Sequence, residues 1–189
     1  MFDPQKILDQ VLGGPNPQGK GGMAALGAIA NRVWSNWRAG QRGQPSAIAQ
    51  SLKEETCQAE GTPFLPDNKT EREDLSRTLL SAMICAAKAD GHIDAAEQTR
   101  IFRKIDEADL SAEEKNFLLE ELRRPLDADA LAAKATTPER ALEIYAASLL
   151  AIDTEGTAER EYLDNLAQKL KLDPSLAQKI EDETMKPAA

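Results

Sequence analysis

The chain has 189 residues and a formal net charge of −9, with 41% hydrophobic but only 4% aromatic residues. That length suits one packed core with a tail, and an apolar set dominated by Ala and Leu suits closely packed helices better than strands, which favour β-branched and aromatic side chains. The acidic balance argues against nucleic acid as a partner, and two cysteines without CxxC spacing make no disulfide framework.

The N-terminus, MFDPQKILDQVLGG, has neither the basic n-region nor the continuous apolar stretch of a secretory signal, so a cytoplasmic location is expected. Ile7, Leu8, Val11 and Leu12 form a short amphipathic piece. The following Gly14–Gly21 stretch, GPNPQGKG, imitates a phosphate-binding loop but ends in Gly21 where Ser or Thr would hold magnesium, carries two prolines that remove amide donors, and follows no strand, so no nucleotide is expected.

From Met23 to Trp37 an apolar face gathers Leu26, Ile29, Val33, Trp34 and Trp37, with Arg38 beside it. Its unbroken apolar run ends at Asn31, well short of the roughly 20 residues that spanning requires. Tryptophans flanked by arginines suit a headgroup interface, so this helix is expected to lie in the plane of the inner membrane, or else to dock on another helix or copy.

Nine of the 11 glycines and six of the 10 prolines lie at or before Pro66. Residues 1–66 therefore read as a flexible, Gly/Pro-rich N-terminal region with a short amphipathic helix, and residues 67–189 as an all-helical domain. The first region carries six basic and five acidic groups, leaving 17 basic and 27 acidic groups in the domain. Such a domain suits cations or a basic protein partner.

Within the domain a 3.6-residue period is sustained. Leu75, Leu79, Met83 and Ala87 mark one stripe, and the pattern predicts about seven helices, at 70–89, 95–108, 112–124, 128–135, 138–151, 158–171 and 174–184, in a compact bundle. Asp94 with Glu97 and Ser111 with Glu114 read as capping boxes, and Thr137-Pro138 and Asp173-Pro174 each place a cap before a proline at the first helical position. Ile101, Ile105, Phe117, Leu118, Leu122, Leu142, Tyr145, Leu149, Leu163, Leu166, Leu170 and Ile180 are the expected core.

A helix, acidic turn, helix unit occurs at Ile84–Ile105 and, less regularly, at Leu149–Leu170, which points to two packed helix-turn-helix hairpins. The first turn offers Asp90, Asp94 and Glu97 as oxygen ligands for calcium or magnesium, and the second offers Asp153 and Glu159. The spacing is not that of an EF-hand, because the sixth position from Asp90 is Ala95 and the twelfth is Ile101. The competing reading is structural: Gly91 makes the turn, Asp94 with Glu97 caps the next helix, and Thr157 caps the helix after the second turn. His92 is the sole histidine, so no His cluster for zinc and no nucleophile with a base can be assembled, and no enzymatic activity is expected.

The segments AAKADGHIDAAE at Ala86–Glu97, PLDADALA at Pro125–Ala132, ALEIYAASLLAID and EREYLDNLAQKL resemble, in the same order, the YebE-like inner-membrane proteins and the wider TerB-like (tellurite-resistance) superfamily. The resemblance implies a TerB-like all-helical bundle and a bacterial, membrane-linked role in metal binding or stress response, without an established reaction. In front of the domain Asn31 and Arg32 interrupt the apolar segment that members of that family carry unbroken.

Overall fold

A computed structural model describes residues 3–11, 22–41, 62–89, 111–152 and 156–184. Eight helices lie among them: α1 (Pro4–Val11), α2 (Gly22–Gln41), α3 (Lys69–Ala87), α4 (Ala112–Arg123), α5 (Ala128–Ala133), α6 (Pro138–Ala151), α7 (Thr157–Lys169) and α8 (Pro174–Thr184). The described residues contain no strand, and an isolated bridge joins Thr62 to Leu65.

Capping chemistry sets most helix starts. Asn68, which the sequence pattern did not single out, accepts the Thr70 and Glu71 amides at 2.9 and 3.4 Å and opens α3. Ser111 and Glu114 form the expected capping box of α4. Thr137 accepts the Arg140 amide at 3.2 Å ahead of Pro138, and Asp173 accepts the Ser175 amide at 2.8 Å beside Pro174. Thr157 is not the cap of α7, contrary to expectation; it is the first helical residue, and Gly156 holds the cap position without a side-chain bond. At the other end of α7, Lys171 takes a left-handed φ of 54° while the Leu172 and Lys171 amides reach the Ala167 and Gln168 carbonyls at 3.1 Å each, a Schellman closure with lysine in glycine's usual place.

The core is organised around α3 and α6, which pack side by side; α1 lies on α3, α2 and α8 cover α6, and α7 bridges α5 and α6. Leu75, Leu79, Leu80, Ala82, Met83 and Ala86 of α3 meet Leu142, Tyr145, Ala146 and Leu149 of α6 in one apolar cluster. Ala87 is exposed, and Ala86 completes the α3 stripe in its place. Leu118, Leu163, Leu166, Leu170 and Ile180 are buried as expected, Phe117 and Leu122 are partly buried, and Ile101, Ile105 and the expected helix 95–108 lie outside the described residues.

Described residues on both sides of Pro66 share one apolar cluster. Ile7, Leu8, Met23, Leu26, Ala30 and Val33, all from the N-terminal third, are buried in the same cluster as the α3 and α6 side chains. The turn Thr62–Leu65, closed by the Leu65 amide on the Thr62 carbonyl at 3.0 Å, adds a fully buried Phe64. Burial of these side chains contributes on the order of 10 kcal/mol before the entropy of ordering the segments is subtracted. The N-terminal helices are thus part of the folding unit, and the apolar face of α2 belongs to the protein interior.

Candidate functional site

Four of the five acidic residues expected to ligate a cation, Asp90, Asp94, Glu97 and Asp153, lie outside the described residues, as does His92. The fifth, Glu159, stands in the first turn of α7. Its carboxylate folds back over Gly156, so closely that a Cβ at that position would lie 1.7 Å from Oε2. Gly156 therefore leaves the space that the carboxylate occupies. Among the described residues no three His, Cys, Asp or Glu side chains gather as a metal centre.

The helices that lead into the two acidic turns pack against each other. Tyr162, near the start of α7, places its buried hydroxyl close enough to Cys85, near the end of α3, and to Ser148, near the end of α6, for both to influence its ionisation. Burial pushes the phenol up, with the cysteine adding to the effect and the serine opposing it. Ser148 spends its own hydroxyl hydrogen on the Ile144 carbonyl at 3.0 Å, and the Tyr162 hydroxyl finds no hydrogen bond of good geometry. Burial likewise raises the Cys85 thiol, against the Asp127 main-chain amide and the nearby Lys88 charge. Lys88, just past α3, donates to the Leu122 carbonyl at 2.9 Å and to that of Arg124, which fastens the end of α3 to the C-terminus of α4, where a cation is favoured.

Deeper in the bundle, the Tyr145 hydroxyl donates to Oε1 of Glu181 at 2.6 Å, and Arg160 pairs with Oε2 at 3.4 Å. One carboxylate therefore joins α6, α7 and α8, and burial together with that carboxylate holds the Tyr145 phenol well above its ordinary range. Glu143 is different. Its side chain is 1% exposed, and Oε2 has no hydrogen-bond partner. Sequence reasoning missed both glutamates; the visible signal for Glu143 is a single carboxylate inside the apolar run ALEIYAASLLA.

The residues assigned to a membrane interface divide by depth. Leu26 and Val33 are buried, and Ile29, Trp34 and Trp37 are partly buried against the core, while Arg38 is exposed. Trp34 and Trp37 stack with centroids 5.4 Å apart, the Arg38 guanidinium lies 5.8 Å from the Trp34 ring centre, and the Trp37 indole donates to Ser175 of α8 at 3.0 Å. Arg32 pairs with Glu183 of the same helix at 2.8 Å. Part of this face is thus covered by the protein itself; an apolar helical face reads alike in the sequence whether it meets lipid or another helix. No helix among the described residues is long and apolar enough to cross a membrane.

The family described as "Protein of unknown function (DUF533)" matches residues 8–184. A protein of Yersinia enterocolitica described as "Uncharacterized protein in ampR 5'region" is 33% identical over 105 residues, which cover 56% of this chain and 76% of the relative. No solved structure matches.

Proposed function

The chain belongs to the DUF533 family, and for this member we propose a non-enzymatic helical module that holds a divalent cation, calcium or magnesium, between two acidic turns. The observation that supports the reading is the packing of α3 along α6, with Cys85 of one and Ser148 of the other both acting on the ionisation of Tyr162. Asp90 and Asp153 follow the last described residues of those segments, Ala89 and Ile152, directly in the chain. On this reading the carboxylates of the two turns share one ion. Carboxylates brought together repel one another, and a hard cation with oxygen ligands relieves the repulsion.

Calcium and magnesium titrations of the full chain, followed by NMR, test the proposal. Saturable binding is expected, weakened at least about tenfold, or roughly 1.4 kcal/mol, by Asp90→Asn. Absence of binding at millimolar ion, or equal binding by the variant, would overturn it.

A second reading has its own support. Ser111 and Glu114 cap α4 with the spacing that recurs at Asp94 and Glu97. On that reading the acidic turns only start helices, and the protein is a structural interaction module. The bilayer contact expected for α2 is not part of either reading, because Leu26 and Val33 are already covered.

A further inference from the structure

We propose that Glu143 is a proton-linked latch: its carboxyl group keeps its proton while the bundle is closed around α6, and loss of that proton favours opening.

The argument starts from position. Glu143 sits mid-way along the most enclosed helix, where Ala141 to Leu149 are all buried. A carboxylate there would lose its hydration, and the surroundings return little: Oε2 meets no donor. The charged groups that act on it are Arg140, which favours ionisation, and Glu139, which opposes it, and both belong to α6. Arg140 lies one turn away, and its own buried Nη1 is without a partner, yet no ion pair joins the two. A neutral carboxylic acid accounts for both observations, because it needs no counter-charge and exerts little pull on the guanidinium.

The consequence follows by linkage. Burial outweighs Arg140 and holds the Glu143 carboxyl well above its ordinary value of 4.5. The folded chain then carries one proton that the unfolded chain has released. The contribution to stability is fully present below that ordinary value and is lost as pH rises through the folded value. Over this interval each pH unit shifts the unfolding equilibrium up to tenfold toward the open chain.

The test is urea unfolding of the full chain between pH 5 and pH 8, in EDTA so that the result is independent of the cation reading, for the parent, Glu143→Gln and Glu143→Met. The parent is expected to show the steeper pH dependence, differing from both variants by up to tenfold per pH unit. Hydrogen exchange of the parent supplies a measurement that needs no variant: protection of the α6 amides, corrected for intrinsic exchange, should fall by up to the same factor as pH rises. Parallel slopes in parent and variants, or α6 protection that does not change with pH, would overturn the latch.

Discussion

The main-chain amide of Asp3 donates to Oε1 of Glu114 at 2.8 Å, across 111 residues of chain. The other oxygen of the same carboxylate accepts the Ser111 amide at 2.6 Å. Asp3 in turn accepts the Gln5 and Lys6 amides at 3.1 and 3.2 Å as the cap of α1. One buried glutamate therefore completes the cap of α4 and anchors the cap residue of α1.

Burial works to raise the Glu114 carboxyl, but the amides of Ser111 and Asp3, the Ser111 hydroxyl and the Lys6 charge outweigh it and hold the group below its ordinary 4.5. A lowered folded value means that the contribution to stability is present above 4.5 and is lost as pH falls through the folded value. Glu114→Gln should cost about 1.5 to 3 kcal/mol at neutral pH, the range for a hydrogen bond to a charged group. It should also lose less stability than the parent between pH 5 and pH 3. Urea unfolding at those pH values measures both effects.

Gly27 and Gly40 give a matched test of how α2 is seated. A Cβ at Gly27 would stand 2.9 Å from the Phe64 carbonyl oxygen, whereas one at Gly40 meets nothing within 4 Å. Alanine gains up to about 1 kcal/mol of helix propensity at either place, but overpacking a main-chain contact costs about 1 to 3 kcal/mol. Gly27→Ala should therefore be destabilising, or neutral at best, and Gly40→Ala neutral or stabilising. Equal thermal shifts for the two variants would mean that α2 does not press on the Thr62–Leu65 turn.

Lys171 supplies the opposite sign. A non-glycine residue at a φ of 54° bears a left-handed penalty of about 1 to 2 kcal/mol, partly offset in glycine by the entropy of its unfolded chain. Lys171→Gly should raise stability by up to about 1 kcal/mol in denaturant unfolding. Among the described residues no side-chain bond of Lys171 is seen that the substitution would remove.

What could be read from the chain, and what could not, divides along contact range. The capping pairs Ser111 with Glu114 and Thr137 with Pro138 act within one helical turn, so spacing alone reveals them, and helices α4 and α6 begin where those residues place them. The seating of α1 and α2 depends on distant partners: Glu114 for Asp3, Ser76 for Met23, Phe64 for Gly27. No local period encodes such pairs, and glycine and proline on either side of α2 made it look detached. The α2 stripe was visible as a stripe but not as a core face, because Leu26 and Val33 would look the same against lipid. At the candidate site, Glu159 reads in the chain as a ligand, and in the fold its carboxylate lies over Gly156, a closeness that spacing alone does not reveal.

The joint cation site is tested most directly by asking whether both turns respond to one ion. In a calcium titration of the full chain watched by NMR, the amide signals of Lys88 and Ala89 after α3 and of Ile152 and Gly156 around the second turn should move together and fit a single dissociation constant. Asp90→Asn and Asp153→Asn should each weaken both sets by about tenfold. Movement of one set alone, different constants for the two, or no movement at millimolar calcium would contradict a shared site.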